Sequence, residues 1–475
     1  MRLVHTTDLR FEEFLQPEKC VYAIISHRWT EEEVSFEAFP LHRSGQCKGY
    51  GWTKITRGCE LARSDQIDWL WIDTCCIDKR SSAELSEAIN SMYEWYQNAK
   101  ICYVFLRDVR SSVHNGGILR DERRHAEPYR PSYLPSNVDS NQLLFNSGSD
   151  LESDVYELLN RTEAQAHTHT PYRFSQEEFM GSEWFTRGWT LQELLAPRIL
   201  LFFNGDFCYI GSKARLARLI MAATGIGYEY VTSRQPTNRA SVAKRMGWAS
   251  GRQSTRKEDQ AYCLLGLFSV NMPLLYGEGE KAFIRLQLEI IKRYHDESIF
   301  AWKRQRLGPW LDDRGVAGDA MLALRAAAFA PPREPEVAQQ AIAKSFFRYR
   351  HPYYMTHKGL ELTLDFPEER MMRLTLESYR DSNFWLLLPL NCVKVVNWKD
   401  GSISTHRIAL RLRVLYLSTE RHAMYALVNE AFDSATDQPK RLEDFGVEDD
   451  YHCLGAIGLE RPVEYFKVYI QQDGM

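Results

Sequence analysis

The sequence predicts an α/β protein built on a parallel sheet, and three observations carry that expectation. Short apolar runs at residues 21–26, 69–73, 101–106 and 199–203 each end in polar residues. Helical periodicity lies between them, at 52–63, 81–99 and around 190–196. Strands joined through single helices must pair in parallel, because a parallel neighbour needs a crossover, so the core should be doubly wound.

The runs read as strands because an unbroken apolar stretch suits a strand covered on both faces. Ser81 and Glu84 have capping-box spacing. Leu85, Ala88, Ile89, Met92, Tyr96 and Ala99 then recur at helical spacing, so one face of that helix should cover a sheet. Residues 110–176 break the rhythm: Ser, Asn, Arg, Glu and His dominate, with Pro128, Pro131, Pro135 and Pro171, which predicts an insertion. A short helix stopped by Pro197 follows, then a fourth strand closed by Asn204 and Gly205.

Residues 212–300 read as helices at 213–223, at 258–268 behind a Thr255/Glu258 capping box, and at 280–295, where Phe283, Leu286, Ile290, Ile291 and Tyr294 form a stripe. Pro331, Pro332 and Pro335 mark a break. Alternation at Leu360, Leu362, Leu364 and Phe366, and at Ile408, Leu410, Leu412, Val414 and Tyr416, predicts antiparallel strands. The expected organisation is an α/β core at 1–210 containing the insertion, a helical extension at 211–303, and a mainly-β domain at 304–475.

Composition bounds the function. A chain of 475 residues, 44% hydrophobic and 12% aromatic, can bury two or three cores at ~100–200 residues per domain. A net charge of −4 gives no global case for nucleic acid, and Arg407, Arg411 and Arg413 have only the spacing of any half-exposed strand. Most of the ten cysteines sit in apolar runs, which fits reduced thiols in the cytoplasm. No run approaches the ~20 apolar residues of a membrane span, so a soluble protein is expected.

Several motifs could carry chemistry. Ser26, His27, Arg28 and Trp29 follow the first strand, where such a sheet presents groups to a phosphate-bearing ligand. Asp73 and Cys75 follow the second. The adjacent Cys75 and Cys76 lack Cys-x-x-Cys spacing, and His167 and His169 read as a solvated pair, so no metal site is expected. Glycine-rich phosphate loops of the P-loop and dinucleotide-binding kinds are absent, as is a Gly-x-Ser-x-Gly elbow. The turn at 276–280 reads as a helix start, not a phosphate cradle. Glu193 would be an ordinary surface acid on spacing alone. Its setting is unusual: Trp189 stands one turn earlier, and Leu194 and Leu195 cover the opposite side, so the carboxylate can border an aromatic-walled cleft.

Taken together, residues 22–29, 71–90, 184–197 and 245–302 resemble fungal heterokaryon incompatibility (HET) domain proteins. The runs Ile-Asp-Thr-Cys-Cys-Ile-Asp-Lys from Ile72 and Arg-Gly-Trp-Thr-Leu-Gln-Glu-Leu-Leu-Ala-Pro from Arg187 are specific to that likeness, which spans about residues 1–303. It implies a role in cell death when genetically different hyphae fuse. HET domains in turn resemble Toll/interleukin-1 receptor (TIR) domains, which implies a flavodoxin-like sheet. In TIR enzymes a Trp-Cys-x-x-Glu-Leu motif supplies the carboxylate that cleaves the nicotinamide–ribose bond of NAD. Trp189 to Leu194 is similar, with Thr190 in place of Cys, and implies Glu193 as catalytic residue with NAD as substrate and no bound cofactor. Ser26, His27, Arg28, Trp29, Asp73, Cys75 and Trp189 would line the substrate site. Self-association on activation and a protein trigger are the implied partners; the alternative is a non-enzymatic death-signalling adaptor acting through self-association.

Overall fold

The structure, a computed structural model, describes residues 1–45, 48–110, 174–302 and 322–330 in full, together with the backbones of seven further strands between Val337 and Gln471. Nearly all of the expected insertion, with His167 and His169, lies outside the described residues. Two compact units are distinguished. The first is Met1–Asp78, Asn98–Trp184 and Pro197–Leu219; the second is Lys79–Gln97, Phe185–Ala196 and Ile220–Met475.

The first unit holds a seven-stranded sheet of β1 (Arg2–His5), β2 (Phe11–Glu13), β3 (Tyr22–His27), β4 (Trp69–Trp71), β5 (Ile101–Leu106), β6 (Leu200–Asn204) and β7 (Tyr209–Ser212), in the order β2-β1-β4-β3-β5-β6-β7. The strands β4, β3, β5 and β6 are parallel. Every residue of β3, β5 and β6 is buried, as their continuous apolar runs require. In chain order these four strands lie second, first, third and fourth. The order reverses between β3 and β5, the place where open α/β sheets take ligands outside their carboxyl ends.

The expectation of a wholly parallel sheet is corrected at both edges. β1 runs antiparallel to β2 and β4, and β7 antiparallel to β6. The links β1–β2 and β6–β7 are too short for a crossover, so only antiparallel pairing is open to them. The second link is a tight turn in which the Asn204 side chain accepts from the backbone N–H groups of Asp206 (3.0 Å) and Cys208 (2.8 Å). The helix Tyr50–Ser64 covers β3 and β4. Gly58 permits this, since a Cβ there would lie 2.4 Å from Ile25 Cδ1 and 3.2 Å from Leu70 Cδ2.

Beyond β7, Lys213 is buried at 4% exposure and its Nζ donates to the Pro197 carbonyl at 2.5 Å. Burial brings its ammonium down to about 8 from an ordinary 10.5. The folded chain therefore sheds this proton before the unfolded chain does, and Lys213 becomes less costly to folding as pH rises between those values. Lys213→Met should be more stable than the parent at pH 7. That advantage should shrink by on the order of 2–3 kcal/mol by pH 10, measured as the difference between the two urea-unfolding curves. A pH-independent difference would show that the buried ammonium does not titrate in this window.

In the second unit, the helix Ser82–Asn98 starts where the spacing predicts: Ser81 Oγ accepts from Glu84 N at 3.2 Å. Its Ala88, Ile89, Met92, Trp95 and Tyr96 are buried. The helix expected at 258–268 is instead two short ones, Asp259–Tyr262 and Leu265–Phe268. Glu258 does not form the expected capping box. Its carboxylate accepts from Gly277 N (2.8 Å) and Gly279 N (3.0 Å). Both glycines have positive φ, 107° and 62°, which turns their N–H groups toward one anion. The turn at 276–280 thus both precedes the helix Lys281–Arg293 and cradles an acid of its own chain.

This unit also contains a second sheet: β8 (Val337–Lys344), β9 (Tyr354–Thr356), β10 (Gly359–Pro367), β11 (Trp385–Trp398), β12 (Ile403–Ser418), β13 (Ala423–Asp433) and β14 (Val463–Gln471). Its order is β8-β11-β12-β13-β14-β10-β9, antiparallel except for β13 with β14. The alternating segments at 360–366 and 408–416 fall in β10 and β12. Among the described residues no helix is long and apolar enough to cross a membrane.

Candidate functional site

The first unit gathers polar groups at the carboxyl ends of its parallel strands. Trp29, just past β3, is 46% exposed, and its indole Nε1 donates to Asp73 Oδ2 at 2.7 Å. Asp73 opens a helical turn, Asp73–Cys76, just past β4; a four-residue helix shows no periodicity of its own in the sequence. Arg28 is half-exposed and ion-paired with Glu183. Asp108, two residues beyond β5, holds the segment carrying that acid, accepting from Ser182 Oγ at 2.8 Å and Glu183 N at 2.7 Å. A rim of Arg28, Trp29, Asp73, Asp108 and Glu183 results.

Three residues expected to touch substrate are placed beneath that rim. Ser26 is fully buried, and its Oγ accepts from Trp184 Nε1 at 2.8 Å. Cys75 is fully buried, which pushes its thiol well above the ordinary 9.0 and leaves it no surface to offer a ligand. His27 is 7% exposed and faces Glu33, its Nε2 3.4 Å from Oε2. Glu33 also takes Lys54 Nζ at 2.5 Å, and its other oxygen accepts from Thr30 N (3.1 Å) and Oγ1 (3.2 Å). Burial raises the Glu33 carboxyl, but the His27 and Lys54 contacts outweigh it and hold it far below the usual carboxylate range. Lys54, 1% exposed, is lowered by burial despite that partner.

Glu193 and Trp189 belong to the second unit. Glu193 lies in the helix Thr190–Leu195, all six residues of which are buried, and is itself 7% exposed. The surface reading that spacing alone suggested is therefore replaced by a buried carboxylate. Trp189 stands immediately before the helix, and its indole donates to Asp259, which also accepts from Tyr276 Oη at 3.0 Å. Burial pushes the Asp259 carboxyl above its ordinary 3.8 against those two hydrogen bonds. Thr190 Oγ1 donates to the Arg187 carbonyl at 2.9 Å and accepts from Arg252 Nη1 at 2.9 Å.

Sequence reasoning missed Asp108, Glu183, Trp184, Asp259 and Arg252. Asp108 carried a usable signal, an acid just past a strand end like Asp73. The others are joined to their partners only by the fold. Among the described residues no group of three or more His, Cys, Asp or Glu side chains is placed to hold a metal ion.

Residues 22–193 match the family model for heterokaryon incompatibility protein (HET), and residues 281–351 match a domain of unknown function. The chain is 38% identical over 274 residues to vegetative incompatibility protein HET-E-1 of Podospora anserina, an alignment covering 57% of this chain and 16% of that protein. No solved structure matches significantly. The family match runs from β3 to Glu193 and so includes the rim and the first four residues of the Glu193 helix. Over residues 22–193 the chain is thus similar to heterokaryon incompatibility (HET) domains, and it spans about a sixth of the length of the curated relative it matches.

Proposed function

We propose that the HET region of this chain cleaves the nicotinamide–ribose bond of NAD, and that this activity drives cell death in heterokaryon incompatibility. The observation that carries the reading is a single carboxylate, Glu193, buried to 7% exposure in a helix whose other five residues carry no charge. A buried acid in such a setting is a functional-site candidate, because burial is one of the devices by which a site fits a carboxylate to its chemistry. The parallel order second, first, third, fourth supports a TIR-like arrangement of the core. The name of the relative supports the biological role.

The chemistry asks little of the protein. Nicotinamide leaves as a neutral base from a cationic ring, so no general acid is required. The ribose gains positive charge as the C–N bond breaks, and a carboxylate beside it stabilises that charge. Water adds to the anomeric carbon, so NAD⁺ and water give nicotinamide, ADP-ribose and one proton; cyclisation or transfer to another nucleotide uses the same first step. Glu193 would face the ribose and Trp189 shape the wall beside it; within the first unit, the rim residues Arg28, Trp29 and Asp73 are the polar groups suited to a dinucleotide. Ser26, His27 and Cys75 would act from beneath, by fixing the rim.

The rival reading is a non-enzymatic adaptor that self-associates. It is favoured by Leu15 and Val21, 98% and 60% exposed, which lie in the first unit between its short edge strand β2 and β3. The test incubates purified protein, free and fused to a clustering module, with NAD and quantifies nicotinamide. Release that rises on clustering supports the enzyme. Folded, clustered protein that leaves NAD intact supports the adaptor.

A further inference from the structure

We propose that Arg252 is a positioning residue for Glu193: its guanidinium secures the first turn of the Glu193 helix and supplies the positive charge that acts on the carboxylate. The role in catalysis rests on Glu193 being the reactive acid; the pairing itself does not.

The geometry is local to the second unit. Arg252 Nη1 donates to the Arg187 carbonyl and to Thr190 Oγ1, both at 2.9 Å, and thus ties together the residues on either side of the helix start. The backbone reinforces it: Gln253 N donates to the Thr186 carbonyl at 2.7 Å, and Gly188 N donates to the Gln253 carbonyl at 2.8 Å, a parallel bridge between the two segments. Gly188 also packs against the end of the helix Asp259–Tyr262, where a Cβ would lie 3.2 Å from Cys263 Sγ. A helix of six residues has few internal hydrogen bonds with which to hold its own orientation. The direction of Glu193 is therefore set by this brace.

The guanidinium is an odd choice for that task on structural grounds alone. The amino end of a helix carries partial positive charge, which repels a cation. Burial penalises it further, bringing it down to about 10, while the nearby Cys263 and Glu193 act in its favour. Its Nη2 is buried without a hydrogen-bond partner. A neutral donor such as Gln could make the two hydrogen bonds to Arg187 and Thr190 without those costs. What Gln could not do is oppose a carboxylate. Among the described residues, the other charged and titratable groups acting in this neighbourhood include Arg187, Arg256, Asp259, Cys263 and Tyr276.

The test separates the pairing from the activity. In full-length protein carrying ¹³C-labelled glutamate carboxyls, the Glu193 resonance is assigned by its loss in Glu193→Gln and titrated in the parent, Arg252→Lys, Arg252→Met and Thr190→Val. Removing the charge in Arg252→Met should raise the Glu193 midpoint by about one pH unit or more, and Arg252→Lys should keep most of it. Nicotinamide release should fall about tenfold or more in kcat in Arg252→Met, with KM little changed and the acid limb of the pH profile displaced upward alongside the midpoint. Thr190→Val, which keeps the charge but loosens the brace, should lower kcat without moving the midpoint. A Glu193 midpoint unchanged in folded Arg252→Met overturns the inference. If that variant does not fold, Arg252→Gln takes its place, and an unchanged Glu193 midpoint there, with parent-like kcat in Thr190→Val, overturns the inference. A parent protein that releases no nicotinamide sinks the NADase reading instead, while the titration still decides the pairing.

Discussion

Glu193→Gln should lower nicotinamide release by about 10³-fold, almost entirely in kcat. The substitution keeps the shape of the side chain and removes only its charge. NAD in the ground state already carries its positive charge on the nicotinamide ring, so the carboxylate matters most once that charge passes to the ribose. Losing one such preorganised group costs about 3–4 kcal/mol of transition-state stabilisation, which is two to three powers of ten in rate. The same change leaves the buried Arg252 guanidinium without its acid, so a modest loss of thermal stability should accompany it. A melting curve on the same sample separates the two effects: a folded variant with unchanged kcat would remove Glu193 from the chemistry.

Glu33→Gln should destabilise the first unit by about 3–5 kcal/mol. Glu33 is 11% exposed and gathers His27, Thr30 and Lys54 at the end of β3, immediately before the rim residues. The neutral amide would leave the Lys54 ammonium at 1% exposure without its paired carboxylate. Glu33→Gln combined with Lys54→Met should recover most of the loss, because the stranded charge goes with it. The pH dependence has a defined sign. The Glu33 carboxyl titrates far lower folded than its ordinary 4.5, so its contribution is fully present above that value and is lost as pH falls below it. Parent and Glu33→Gln stabilities should therefore converge in acid, which chemical denaturation at pH 7 and pH 3 would measure.

The parallel core was largely legible in the sequence, because a strand buried on both faces must be apolar throughout. β5 is predicted to the residue, and β3 and β6 within one residue at each end. β1, β2 and β7 were not legible: Arg-Leu-Val-His, Phe-Glu-Glu and Tyr-Ile-Gly-Ser are too short and mixed to show a pattern, and their pairing depends on the edges of a sheet already formed. Glu258 shows another limit. Its spacing from Thr255 suits a cap, but two glycine N–H groups brought near by the fold compete for the same carboxylate and win.

The site divides the same way. Glu193 and Trp189 were legible as a motif, and so was the rim segment Arg28–Trp29 with Asp73. What each side chain does there was not. Ser26 receives Trp184, His27 faces Glu33, and Arg28 meets Glu183, all across separations that no periodicity or local spacing encodes.

The most direct test of the central claim follows cellular NAD and cell death together in a fungal host that expresses the parent chain or Glu193→Gln at matched protein levels. The account predicts that NAD falls before death in cells with the parent chain, and that Glu193→Gln abolishes both. Death that persists in Glu193→Gln cells with NAD intact would contradict it and leave self-association as the activity of the domain.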